Sequence, residues 1–187
     1  MPLPKPSPRR ADHARTVTSQ GYMRDDGLWD IDARMTDVKT DNMDHPERGL
    51  IPAGVAYHDI SIRITVDETL LIKDVHVSMD STPFFMCPNI APAFDKLKGT
   101  RIGGGWFSEV RKRVGGMLGC THVNELLPVV ATTAFQCLWP KRMEHEGESS
   151  VENILNTCHT WAAKSDVIKN YAPSYYQPED IITKQES

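Results

Sequence analysis

Two places in this chain could do chemistry. Cys120 and His122 stand one residue apart in G-C-T-H, where a glycine-rich run gives way to a long apolar stretch. A cysteine at a helix entry, with Thr121 available as the cap, faces the positive end of the helix dipole, which favours a thiolate. Such a thiolate suits a nucleophile or a metal ligand, and a small residue packed in a tight turn would look the same. Glu125 follows His122 at i, i+3, the spacing at which a carboxylate can orient an imidazole or form a surface ion pair.

His58 is the other candidate. It opens Y-H-D-I-S-I-R-I-T-V-D, in phase with Ile60, Ile62, Ile64 and Val66. A histidine in phase with a buried face must satisfy two ring nitrogens away from water. A backbone carbonyl would satisfy one. A base or a metal ligand at a strand end is the other use. Cys87 follows Phe84–Phe85, Cys137 lies deep in an apolar run, and Cys158 stands in T-C-H-T-W. The loop T-R-I-G-G-G-W precedes a run bearing Arg111, Lys112 and Arg113. Glycines before a helix offer backbone amides to an anion, and Arg101 could clamp a phosphate. The loop lacks a Walker or dinucleotide pattern, and a solvated helix face explains the basic run equally well.

The elements that position these residues are legible from periodicity. Asp26-Gly27 joins two β-prone runs as a hairpin, with Trp29, Ile31, Ala33 and Met35 on one face. From Lys39 to Pro52 the chain reads as a loop. The His58 strand is followed by a turn at Asp67–Thr69 and by a strand with Leu71, Val75, Val77 and Met79 in phase and His76 opposite. A short helix ends at Gly99, and the next carries Trp106, Val110 and Val114. A long apolar helix follows Gly119, with Pro128 expected to kink or interrupt its first turns. An acidic hinge, M-E-H-E-G-E-S-S, leads to a last helix over V-E-N-I-L-N-T-C-H-T-W-A. Strands first and helices after predicts an α+β domain: an antiparallel sheet of about four strands with helices on one face. The expected boundaries are a Pro-rich disordered arm over 1–14, one domain over 15–173 and a tail over 174–187.

With 187 residues, net charge −4, 40% hydrophobic and 25% charged residues, the chain reads as an ordinary soluble globular protein. That charge disfavours nucleic acid, and no apolar run reaches the length of a membrane span. Four widely spaced cysteines and an N-terminus without an apolar signal region fit a reducing cytoplasm.

The pieces R-D-D-G-L-W-D, G-V-A-Y-H-D-I-S-I-R-I-T-V-D, I-K-D-V, M-C-P, L-K-G, G-G-W and L-G-C-T-H-V-N-E-L-L occur in this order. Together, over about Arg15 to Pro173, they resemble a bacterial family known as domain of unknown function 2889. That resemblance implies a link to aromatic-compound catabolism and to acyl-CoA thioester hydrolysis. A fainter similarity is to the scaffold proteins of iron–sulfur cluster assembly: Cys87 and Cys120 match their second and third cysteines, while Ala56 stands near the first. That similarity implies that His58, Cys87 and Cys120 converge as metal ligands. Three such ligands with an open fourth position suit catalytic zinc. Without metal, Cys120 and His122, supported by Glu125, would act as nucleophile and base.

The sequence reading is therefore a hydrolase of acyl-CoA, with zinc or no cofactor. Arg101, Arg111 and Arg113 would hold the nucleotide end of CoA, and Trp106, Phe84 and Phe85 would line the acyl pocket. A metal-binding scaffold and a small-ligand binding domain with structural cysteines are the alternatives. Expected partners are the small-molecule substrate and neither nucleic acid nor membrane, with a homo-oligomer left open.

Overall fold

The computed structural model describes residues 2–178. The chain gathers into two compact units, Met1–Cys137 and Leu138–Ser187. The boundary falls inside the long helix.

The first unit is α+β. Strands β1 (His13–Met23), β2 (Trp29–Lys39), β5 (Ala56–Val66) and β6 (Ile72–Ser81) form one antiparallel sheet in that order. Between β2 and β5, a small hairpin of β3 (Met43–His45) and β4 (Gly49–Ile51) occupies the segment expected to be only loop. The β1–β2 turn is the expected one, with Gly27 at φ 83. One face of the sheet is core: Trp29, Ile31, Ala33 and Met35 on β2 and Ile60, Ile62, Ile64 and Val66 on β5 are all buried. On the other face Arg34 pairs with Asp59 and Arg63 with Asp32 across neighbouring strands.

The phase predicted for β6 slips. A ladder irregularity at Lys73 lets both Ile72 and Val75 face the core, while Leu71 leaves the strand to bridge Arg101. After β6 a 3₁₀ helix over Cys87–Leu97 runs to Gly99 (φ 79), and α1 (Trp106–Val114) buries Trp106, Val110 and Val114 as its spacing predicts.

Helix α2 (Thr121–Glu146) is continuous through Pro128. That proline lies on the exposed side, where the helix loses one hydrogen bond without opening the core. Val123, Leu126, Leu127, Val130, Ala131 and Ala134 are buried and form one stripe. The stripe lies along β1: Arg15 pairs with Glu125, and Gly21 lies against the Cys137 sulfur. The intervening six residues of strand and twelve of helix span about 20 Å and about 18 Å, so α2 runs parallel to β1.

In the second unit the expected helix over 151–162 is replaced by a 3₁₀ turn (Gly147–Val151) and irregular turns. Asn156 takes φ 60, and its side-chain oxygen accepts the Ala163 N–H. This is the local side-chain bonding that competes with helix. The helix present is α3 (Asp166–Tyr171), capped by the Ser165 hydroxyl, and a 3₁₀ turn covers Pro173–Tyr175. The tail expected over 174–187 lies outside the described residues from 179 onward. Among the described residues, no helix is long and apolar enough to cross a membrane.

Candidate functional site

At one end of the first unit's sheet the core face turns polar. Arg15, Asp37 and His58 are register partners on β1, β2 and β5, so their side chains form a row across three strands. Asp37 has no exposed surface, and His58 is buried. Burial opposes the charge on Asp37, but Arg15, followed by His58, holds its carboxyl down at about 2. Oδ1 accepts from Arg15 Nε at 2.8 Å and His13 Nε2 at 3.1 Å. Oδ2 accepts from Arg15 Nη2 at 2.8 Å and His58 Nδ1 at 2.9 Å. Four donors fill the roughly four lone-pair sites of one carboxylate.

Because Asp37 is ionised, His58 must carry its proton on Nδ1, which leaves Nε2 as an acceptor. Burial pushes the His58 ring below its ordinary titration range, and His122 adds to this, against the pull of Asp37. His58 is therefore neutral near pH 7. His122, in the first turn of α2, lays its ring against His58 with centroids 3.8 Å apart.

The ladder between β2 and β5 is irregular at this spot. Asp37 pairs with His58, but Val38 pairs with Ala56, so Tyr57 is an extra, bulged residue. A bulge re-aims its side chain. Here the Tyr57 ring lies 4.7 Å from that of His58 and 6.0 Å from that of His13. Arg48, from the β3–β4 turn, pins the bulge by donating to the Tyr57 carbonyl, the Ser81 hydroxyl and the Thr82 carbonyl.

The sequence-predicted residues distribute as follows. His58 and His122 are brought together. The ligand group that converges is Asp37, His58 and His122, whose ligand atoms lie within 4.8 Å of one another. His58, Cys87 and Cys120 form no such group among the described residues. Cys87 begins the 3₁₀ helix after β6. Cys120 is half-buried and is itself the cap position of α2, since its carbonyl accepts the Asn124 N–H and the helix begins at Thr121. Glu125 pairs with Arg15 rather than His122.

Trp106 is core, its indole N–H bonded to Thr100 at 3.0 Å. Arg101 donates to the Thr69 carbonyl beside the β5–β6 turn, at the opposite end of β5 from His58. Arg113 pairs with Glu109 and donates to the Lys96 carbonyl, and Arg111 is exposed. Phe84 and Phe85 are exposed beside the β3–β4 hairpin, where Phe84 packs on His45 and the Phe85 N–H binds Glu47.

Asp37, Arg15, His13 and Tyr57 escaped the sequence reading. One signal was available: Asp37 continues the in-phase series of Trp29, Ile31, Ala33 and Met35, as His58 begins that of the isoleucines. Two in-phase polar residues at strand ends are candidates to satisfy each other.

The family described as "protein of unknown function (DUF2889)" matches residues 13–136. The chain belongs to this family. The DUF2889 match begins at His13 and ends one residue before the boundary of the first unit, so it contains every residue of the Asp37–His58 site. No curated protein and no solved structure matches the chain.

In this DUF2889 chain the donor set fits a hydrogen-bonded base better than a metal centre. A cation on Asp37 would displace Arg15, His13 or His58 and would lie beside a guanidinium. The two imidazoles alone fall short of the three protein ligands usual for catalytic zinc.

Proposed function

We propose that the chain is a hydrolase of acyl-CoA thioesters in which His58 is the general base. The observation that carries this reading is the neutral His58 held through Nδ1 by a buried, ionised Asp37. That arrangement orients an imidazole and stabilises its protonated form during reaction.

In the reaction, His58 Nε2 takes a proton from water as the water oxygen attacks the thioester carbonyl. The tetrahedral intermediate collapses with cleavage of the C–S bond, and the leaving thiolate takes the proton back from His58. The products are a carboxylic acid and free CoA thiol. The exposed apolar run Phe84, Phe85 and Met86 offers a surface for the acyl chain.

Incubation of the pure protein with a panel of acyl-CoAs, followed by free-thiol release, tests this. Wild type releases thiol, His58→Gln is slower by 10²-fold or more, and Cys120→Ala keeps its rate. No release above buffer, or an unimpaired His58→Gln, sinks the reading. Loss of activity in Cys120→Ala moves the nucleophile from water to that thiol.

A metal-binding scaffold is the second reading, favoured by the adjacent His58 and His122 rings, whose ligand atoms and that of Asp37 lie within 4.8 Å of one another. Elemental analysis of the purified protein separates the two. Stoichiometric metal that is lost in His122→Ala would support the scaffold.

A further inference from the structure

We propose that Arg15 and Glu125 are positioning residues for His58: Arg15 fixes the Asp37 carboxylate that orients the imidazole, and Glu125 on α2 fixes Arg15. The kinetic part of this proposal rests on the hydrolase reading, and the structural part does not.

The contacts close a circuit. Arg15 places Nε on one oxygen of Asp37 and Nη2 on the other, both at 2.8 Å. This bidentate fork sets the plane of the carboxylate. With the plane set, Oδ2 meets His58 Nδ1 in one direction only, and a flipped ring would lose that bond. The third guanidinium nitrogen, Nη1, binds Glu125. Glu125 stands one helical turn after His122, whose ring covers His58. One turn of α2 therefore holds His58 twice, directly through His122 and indirectly through Glu125, Arg15 and Asp37.

Among the described residues, Asp37 from β2, Tyr57 from its own strand and His122 from α2 contact His58 itself, Arg15 and His13 from β1 join through Asp37, and Glu125 from α2 joins through Arg15. Arg15 and Glu125 are 110 positions apart, so the base is oriented only once α2 has seated on the sheet. Lysine cannot replace Arg15, because one ammonium cannot present a planar fork to two oxygens and a third donor to Glu125.

The test is nitrogen-15 NMR of the histidine rings in the full chain, with His58 assigned by His58→Gln. Wild type is expected to show His58 in the Nδ1–H form alone. Arg15→Met should populate the Nε2–H form, Arg15→Lys should fall between, and Glu125→Gln should deviate least. In parallel, kcat on the best thioester should fall about 10- to 100-fold in Arg15→Met, with KM within twofold.

An unchanged tautomer in Arg15→Met with native near-ultraviolet circular dichroism overturns the proposal. If Arg15→Met does not fold, an unchanged tautomer in Arg15→Lys overturns it. A tautomer response in a chain that hydrolyses no thioester supports the positioning circuit and overturns the hydrolase reading. Hydrolysis with no tautomer response does the reverse.

Discussion

Asp37 Oδ2 accepts the Nδ1–H of His58 at 2.9 Å, from register partners on adjacent strands. Replacing the carboxylate by a carboxamide changes which way that bond runs. In Asp37→Asn the side-chain N–H₂ can donate to Nδ1, so the proton moves to Nε2 and the base is blocked. Thioester hydrolysis should fall roughly 10³-fold or more, as expected for a base in the wrong tautomer. Stability should fall by about 1–3 kcal/mol, because Arg15 and His13 lose a charged acceptor. Steady-state kinetics and urea unfolding read the two effects separately.

Acid should weaken the fold in two steps. His58 titrates lower in the folded chain than unfolded, chiefly through burial. The unfolded state therefore binds its proton first, and this contribution is complete above about pH 6.5 and fades as pH falls below it. Asp37 sits at about 2 against its ordinary 3.8. Its contribution, roughly 2 kcal/mol, is complete above about pH 4 and is lost between there and pH 2. Urea midpoints followed from pH 8 to pH 2 should show both steps, the lower one shared with Asp67 and Asp74, which also sit at about 2, and His58→Gln should remove the upper one.

A methyl group at position 21 would overlap the Cys137 sulfur, where α2 lies against β1. Gly21→Ala should destabilise the chain by about 1–3 kcal/mol through overpacking. Cys137→Ala, which opens space at the same point, should recover most of that loss in the double variant. The coupling from the four-member cycle should reach about 1 kcal/mol. Additive effects would contradict the close approach of helix and strand.

Trp106→Phe should cost stability but spare catalysis. The indole N–H binds Thr100 Oγ1, whose hydroxyl in turn binds the Leu97 carbonyl at 2.7 Å. Losing the buried bond and part of the ring should cost about 1–3 kcal/mol. KM for an acyl-CoA should stay within twofold, contrary to a role in the acyl pocket.

The sheet was legible in the sequence because period two and the Asp26-Gly27 turn are local signals. So was the placement of His58 on the buried face. Helix α1 was legible from Trp106, Val110 and Val114 for the same reason. The partners of His58 were not. Arg15, Asp37 and His122 reach it from three other elements, and the pairing of strands that aligns Asp37 with His58 is a long-range choice. The expected grouping of His58 with Cys87 and Cys120 came from a resemblance, while the fold sends Cys87 into a 3₁₀ helix and makes Cys120 a helix cap. The helix expected over 151–162 failed because Asn156 turns the backbone to positive φ and bonds it locally.

The extra residue at Tyr57 bears on how the chain tolerates changes of length. Removing any other residue within β5 would shift every later side chain to the wrong face of the sheet. Removing Tyr57 would instead leave Asp37 opposite His58 and Val38 opposite Ala56, in an unbroken ladder. The ring that lies against His58 and His13 is thus an addition to an already complete strand. Loss of the single codon at this position would uncover one side of the His58 ring without rebuilding the sheet.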